Sequence, residues 1–112
     1  GFGCLVVCLS MICGKTPPEV NKILIKNNCF ANGGLMLIPE ACKALGFSYK
    51  GKTTAKQYWL AIAETNYYAP TYPQHFCIWL GDGNIIDPLG GVQKKNPYPI
   101  VQYILVDNGR KM

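Results

Sequence analysis

Histidine is almost absent from this sequence: His75 is the only one in 112 residues. Acidic residues are scarce too, six against eleven lysines and arginines, which leaves a net charge of +5. No apolar run reaches the ~18 residues that a membrane-spanning helix needs, so no membrane span is expected. The apolar start, Gly1-Phe2-Gly3-Cys4-Leu5-Val6-Val7-Cys8-Leu9, has no basic segment before it and does not read as a secretion signal. There is no Cys-x-x-Cys knuckle, and one histidine is too few for the ordinary zinc-ligand sets, so neither metal nor other cofactor is expected. The basic residues are scattered, densest at Lys50 with Lys52, Lys94-Lys95 and Arg110-Lys111. Without interleaved aromatics they read as a solvated face, and no nucleic-acid partner is expected. An initiating methionine is also missing, so the expectation is a processed product or a domain of something longer.

What is present describes one compact unit. Only 15% of the residues are charged and 49% are apolar, enough for one core at this length. A single domain over residues 1–112 is expected. Six cysteines stand at positions 4, 8, 13, 29, 42 and 77. The even number admits disulfides, but cysteines four apart on one helix are poorly placed to bridge. Most lie in apolar runs, where a thiol behaves as a small hydrophobe. Free thiols are therefore expected, with Cys8, Cys13, Cys42 and Cys77 mainly buried.

The order of elements follows from punctuation and pattern. Cys4 to Cys13 is apolar all round and stops at Gly14, as a buried helix would. Thr16-Pro17-Pro18-Glu19 is a helix start with a capping box, ending near Asn27-Asn28. Pro39-Glu40 opens a third helix stopped by Gly46. Beyond that point strands are expected: Phe47 to Lys50, Trp59 to Ala63, His75 to Leu80, Ile85 to Asp87 and Val101 to Val106. Gly81-Asp82-Gly83-Asn84 is a hairpin turn. Tyr67 to Pro73 and Pro88 to Pro99 read as loops. Tyr58, Trp59, Trp79 and Tyr103 are expected in the core or on a sheet face, and Tyr67, Tyr68, Tyr72 and Tyr98 in loops able to flank a cleft. Helices first and antiparallel strands afterwards make an α+β domain.

Three residues carry chemistry in this arrangement. Cys4 opens a helix, where unpaired backbone N–H groups and the helix dipole favour thiolate, the nucleophilic form. His75 begins one strand of the hairpin, and Asp87 ends the other. Pairing about the turn brings their outer ends together, as a base and its orienting carboxylate require. The plainer alternative is a strand histidine beside an Asp87-Pro88 turn. Cys8, one helical turn on, is a rival nucleophile, but its place in the helix interior suits the core.

The segment Gly3-Cys4-Leu5-Val6-Val7-Cys8-Leu9-Ser10-Met11 resembles the catalytic helix of the bacteriocin-processing, double-glycine leader peptidases and their stand-alone phage and bacterial relatives. His75-Phe76-Cys77-Ile78-Trp79-Leu80, with Asp87-Pro88-Leu89-Gly90-Gly91, resembles their histidine strand and Asp-Pro-x-x-Gly turn. Thr16-Pro17-Pro18-Glu19-Val20-Asn21 resembles the helix start that follows the Cys helix in the stand-alone forms. The resemblance implies a papain-like cysteine peptidase fold, with helices packed on an antiparallel sheet. It also implies a triad of Cys4, His75 and Asp87. The implied substrate is a Gly-rich peptide junction or a peptidoglycan peptide. The implied setting is a phage particle or bacterial cytoplasm, or exposure to the cell wall, within a larger phage or bacterial protein. The family places Gly after its Cys and a Gln before it. Here Leu5 follows, and only Gly1, Phe2 and Gly3 precede: either truncation removed that Gln, or Gln74 substitutes for it beside the Cys4 backbone N–H as oxyanion donor, or the site is weak or dead. The alternative function is a non-catalytic papain-like module that binds peptide or serves as a phage structural part.

Overall fold

The computed structural model describes residues 3–66 and 74–107. Three helices come first: α1 (Cys4–Cys13), α2 (Pro17–Lys26) and α3 (Ile38–Ala44). Six strands follow: β1 (Ser48–Thr53), β2 (Ala61–Thr65), β3 (His75–Trp79), β4 (Asn84–Ile86), β5 (Gln93–Lys95) and β6 (Ile100–Asp107). They form one antiparallel sheet in the order β1-β6-β2-β3-β4-β5. The architecture is α+β, as the sequence predicts. The expected Tyr67-to-Pro73 loop, with Tyr67, Tyr68 and Tyr72, lies outside the described residues.

Local chemistry explains the helix ends. Gly14 takes the left-handed conformation at φ 71 and returns its N–H to the Ser10 carbonyl, closing α1. The α2 capping box is formed: the Glu19 backbone N–H donates to Thr16 Oγ1 at 3.3 Å, and the Glu19 carboxylate accepts from the Thr16 backbone. Val20 and Leu24, one turn apart on α2, are both fully buried.

The sheet has an apolar residue on each face at most positions. Ile62, Phe76, Ile78 and Ile104 face the helices and join Leu9, Val20 and Leu24 in the larger core. The alternating residues Ala61, Ala63, Cys77, Trp79, Ile85 and Tyr103 form a second cluster on the other face. Trp79 is anchored there by its indole N–H, which donates to the Gln57 carbonyl at 2.8 Å. All six cysteines are free thiols. Cys8, Cys42 and Cys77 are buried, while Cys13, in the last turn of α1, is only half-buried.

The structure departs from the sequence expectations at Cys13, expected mainly buried but half-buried at the end of α1, and in several strand bounds. β2 begins at Ala61, not Trp59, and Tyr58 and Trp59 are exposed, not core. Their backbone instead presses on the hairpin turn. A Cβ at Gly81 would lie 2.8 Å from Trp59 N and closer still to the Tyr58 carbonyl. Gln93–Lys95, inside the expected Pro88-to-Pro99 loop, pairs with β4 as an edge strand. Its residues are all exposed and two are lysines, a composition that protects an edge from further pairing and carries no apolar alternation to announce a strand. The first strand also runs longer than expected, to Thr53, through an irregularity between Tyr49 and Gly51 where Gly51 has φ 100.

Candidate active site

The β3–β4 hairpin sets the site. Ile78 pairs with Ile86 and Trp79 with Ile85 around a turn in which Gly81 and Gly83 have φ 92 and 94. Continued outward, this register sets Cys77 opposite Asp87 and makes His75 the diagonal neighbour on the same face. His75 and Asp87 are both buried, at 4% exposure each, and meet at 3.0 Å between Nε2 and Oδ1. Thr65, paired with His75 across β2 and β3, donates its hydroxyl to the His75 carbonyl at 3.2 Å and fixes the strand there.

Asp87 is held on all sides. Its Oδ1 also accepts the Leu89 backbone N–H at 3.1 Å, and its Oδ2 accepts the Tyr98 hydroxyl at 2.6 Å. Its own carbonyl receives the Gly90 and Gly91 N–H groups, so the Asp87-Pro88-Leu89-Gly90-Gly91 segment wraps back on it. Lys94 Nζ lies 3.3 Å from Oδ2. Burial acts to raise the Asp87 carboxyl, but the bonds from Tyr98, Leu89 and His75, with the His75 charge, outweigh it and hold the group down at about 2. An ionised Asp87 can only accept, so the hydrogen between it and His75 resides on Nε2.

Tyr98 closes the outside of this pair. Its ring stands edge-on to the His75 imidazole, with centroids 5.5 Å apart. Reciprocal bonds with Asn96 hold it in place: Tyr98 N donates to Asn96 Oδ1, and Asn96 Nδ2 donates to the Tyr98 carbonyl. The sequence placed Tyr98 only among loop aromatics and Lys94 only on a solvated face. The turn signal of Asn96-Pro97-Tyr98-Pro99 marks a rigid segment, but nothing local says that it folds over Asp87.

Cys4 and Cys8, two of the three cysteines of α1, separate clearly. Cys8 is fully buried and donates its thiol to the Phe76 carbonyl at 3.4 Å, which ties α1 to β3. Burial raises its pKa well above the ordinary thiol value, and the nearby Cys4, Cys77 and Asp87 add to the effect. Cys8 is thus a core thiol. Cys4, one turn earlier, is half-buried and opens onto a groove of about 590 Å³. Gln74 and Phe76, the residues on either side of His75, line the same groove. Gly3 provides no side-chain cap, and the first helical backbone bond runs from Val7 N to the Gly3 carbonyl. The N–H groups of Cys4, Leu5 and Val6 therefore precede the intrahelical ladder.

By sequence Cys77 is only a core residue. Its Sγ, with a ring nitrogen of His75 and a carboxylate oxygen of Asp87, belongs to a buried trio of possible metal-ligand atoms within 4.8 Å of one another. Burial, then Asp87 and Cys4, push the Cys77 thiol up to about 12, so it stays protonated, while Asp87 already holds Tyr98, Leu89 and Lys94.

No family model, no curated protein and no solved structure matches this chain. No helix among the described residues is long and apolar enough to cross a membrane.

Proposed function

We propose that this chain is a papain-like cysteine peptidase or amidase, with Cys4 as nucleophile, His75 as general base and acid, and Asp87 orienting the base. The buried His75 Nε2–Asp87 Oδ1 contact supports this reading, because it pairs the one histidine with an ionised carboxylate, as an oriented base requires. Cys4 Sγ attacks the substrate carbonyl carbon while its proton passes to His75 Nδ1. The oxyanion is stabilised by the Cys4 backbone N–H and the Gln74 amide. His75 then protonates the amine as the C–N bond breaks. Water attacks the resulting thioester, gives its proton to His75, and the C–S bond breaks to restore Cys4. The proposed substrates are a Gly-rich peptide junction or a peptidoglycan peptide, and the proposed context is a phage or bacterial protein.

Turnover of Gly-rich peptides and of cell-wall fragments by the four alanine variants tests the reading. Cys4→Ala should abolish turnover, His75→Ala should be nearly as severe, and Asp87→Ala milder, because an orienting group does not itself react. Cys8→Ala should keep activity and lose about 1–2 kcal/mol of stability through a small cavity. Loss of activity in Cys8→Ala with retention in Cys4→Ala would overturn the nucleophile assignment. No turnover, together with Cys4 alkylation by iodoacetamide no faster than that of a model thiol, would leave a peptide-binding module.

A further inference from the structure

The helix-facing side of the sheet changes character at one end. Along β2 that face runs from Ile62 to Glu64, and along β6 from Ile104 to Gln102. On β3 it runs from Ile78 through Phe76, with Gln74 following just beyond the strand. Three neighbouring strands thus turn from aliphatic to polar at the same edge of the core. That edge is part of the groove beside Cys4. Phe30, Leu35 and Met36, from the segment between α2 and α3, supply an apolar wall, with Leu35 exposed.

Glu64 is an acid in a chain that has only six, and it lines this groove. The Gln102 amide donates to its Oε1 at 3.1 Å and fixes the carboxylate. Oε2 has no partner among the described residues, and no lysine or arginine among them lies within ion-pair distance of Glu64. Lys52, the cation that also lines the groove, pairs with Ile104, whereas Glu64 pairs with Gln102 and lies on the strand beyond β6. A half-buried carboxylate, oriented by a neutral amide and left uncompensated, is a receptor for a cation.

We infer that the groove binds a peptide whose ammonium group, from a lysine-type side chain or a free N-terminus, is received by Glu64 while its apolar part lies against Phe30, Leu35 and Met36. The inference deepens the peptidase reading and rests on it for placing peptide next to Cys4. Binding measured with an inactive protein separates the two. Calorimetric titration of the Cys4→Ala protein would use short Gly-rich peptides carrying lysine, norleucine or glutamate at one position. Each would be prepared with a free and with an acetylated N-terminus. Lysine peptides, or peptides with a free N-terminus, should bind about tenfold more tightly than their uncharged counterparts, and the arm that shows the effect names the ammonium source. Adding Glu64→Gln should erase the preference without weakening the norleucine peptide, which also shows that the fold is intact. Adding Glu64→Lys should turn the preference toward glutamate. Equal affinity for charged and uncharged peptides, or a preference that survives Glu64→Gln, would overturn the inference even if the wild-type protein turns over peptides. A preference of the expected kind in a protein without turnover would uphold the groove while removing the peptidase.

Discussion

The Tyr98 hydroxyl donates to Asp87 Oδ2 at 2.6 Å while the other oxygen of the same carboxylate holds His75. Removing that hydroxyl keeps the ring against the imidazole and deletes one strong bond to an ion. Tyr98→Phe should cost about 1–2 kcal/mol of stability, measured by urea unfolding at neutral pH. In a turnover assay, kcat should fall several-fold with KM unchanged, because Tyr98 acts through Asp87. An unchanged unfolding midpoint would show that the bond contributes nothing.

Acid should reveal the same carboxylate. Its folded value of about 2 lies below the ~3.9 of a free aspartate. The stabilisation is therefore complete above about pH 4 and is lost as pH falls toward 2, amounting to roughly 2–3 kcal/mol for a shift of this size. Urea midpoints measured from pH 6 to pH 2 should fall more steeply for the wild type than for Asp87→Asn. Parallel curves would contradict the depressed value.

Gly81 is required twice over, by its φ of 92 and by the backbone of Tyr58 and Trp59 packed where a Cβ would stand. Gly81→Ala should destabilise by about 2 kcal/mol or more. Gly83→Ala, with a similar φ but open space around it, should cost only the conformational part, about 1 kcal/mol. Thermal unfolding of the two variants checks the ranking, and equal losses would refute the close approach.

Six free thiols predict an intact mass, without reductant, equal to that of the fully reduced chain. Labelling at neutral pH should modify Cys4 first. Cys8, Cys42 and Cys77 should react only on unfolding, since burial raises each of their pKa values. A mass six hydrogens light would mean three disulfides and a different core.

Residue type and spacing along the chain already set the local elements and the ingredients of the site. Gly14, the Thr16–Glu19 capping box and the Gly81–Asn84 turn act over a few residues, so their outcomes are legible from type and spacing. The nearness of His75 and Asp87 was legible for the same reason, because a tight hairpin fixes its own register. Long-range packing set what depends on distant parts of the chain. It made the His75–Asp87 contact diagonal, with Cys77 opposite the aspartate. It exposed Trp59 although its composition suits a core, since the sheet begins two residues later. It brought Lys94 and Tyr98 onto Asp87 through β5, an edge strand whose pairing comes from β4 and not from any apolar pattern of its own. It also gathered Glu64, Gln74 and Cys4 around one groove from β2, the approach to β3 and α1. Side chains far apart in sequence meet only when the whole sheet and the helix layer pack, and no local propensity encodes that meeting.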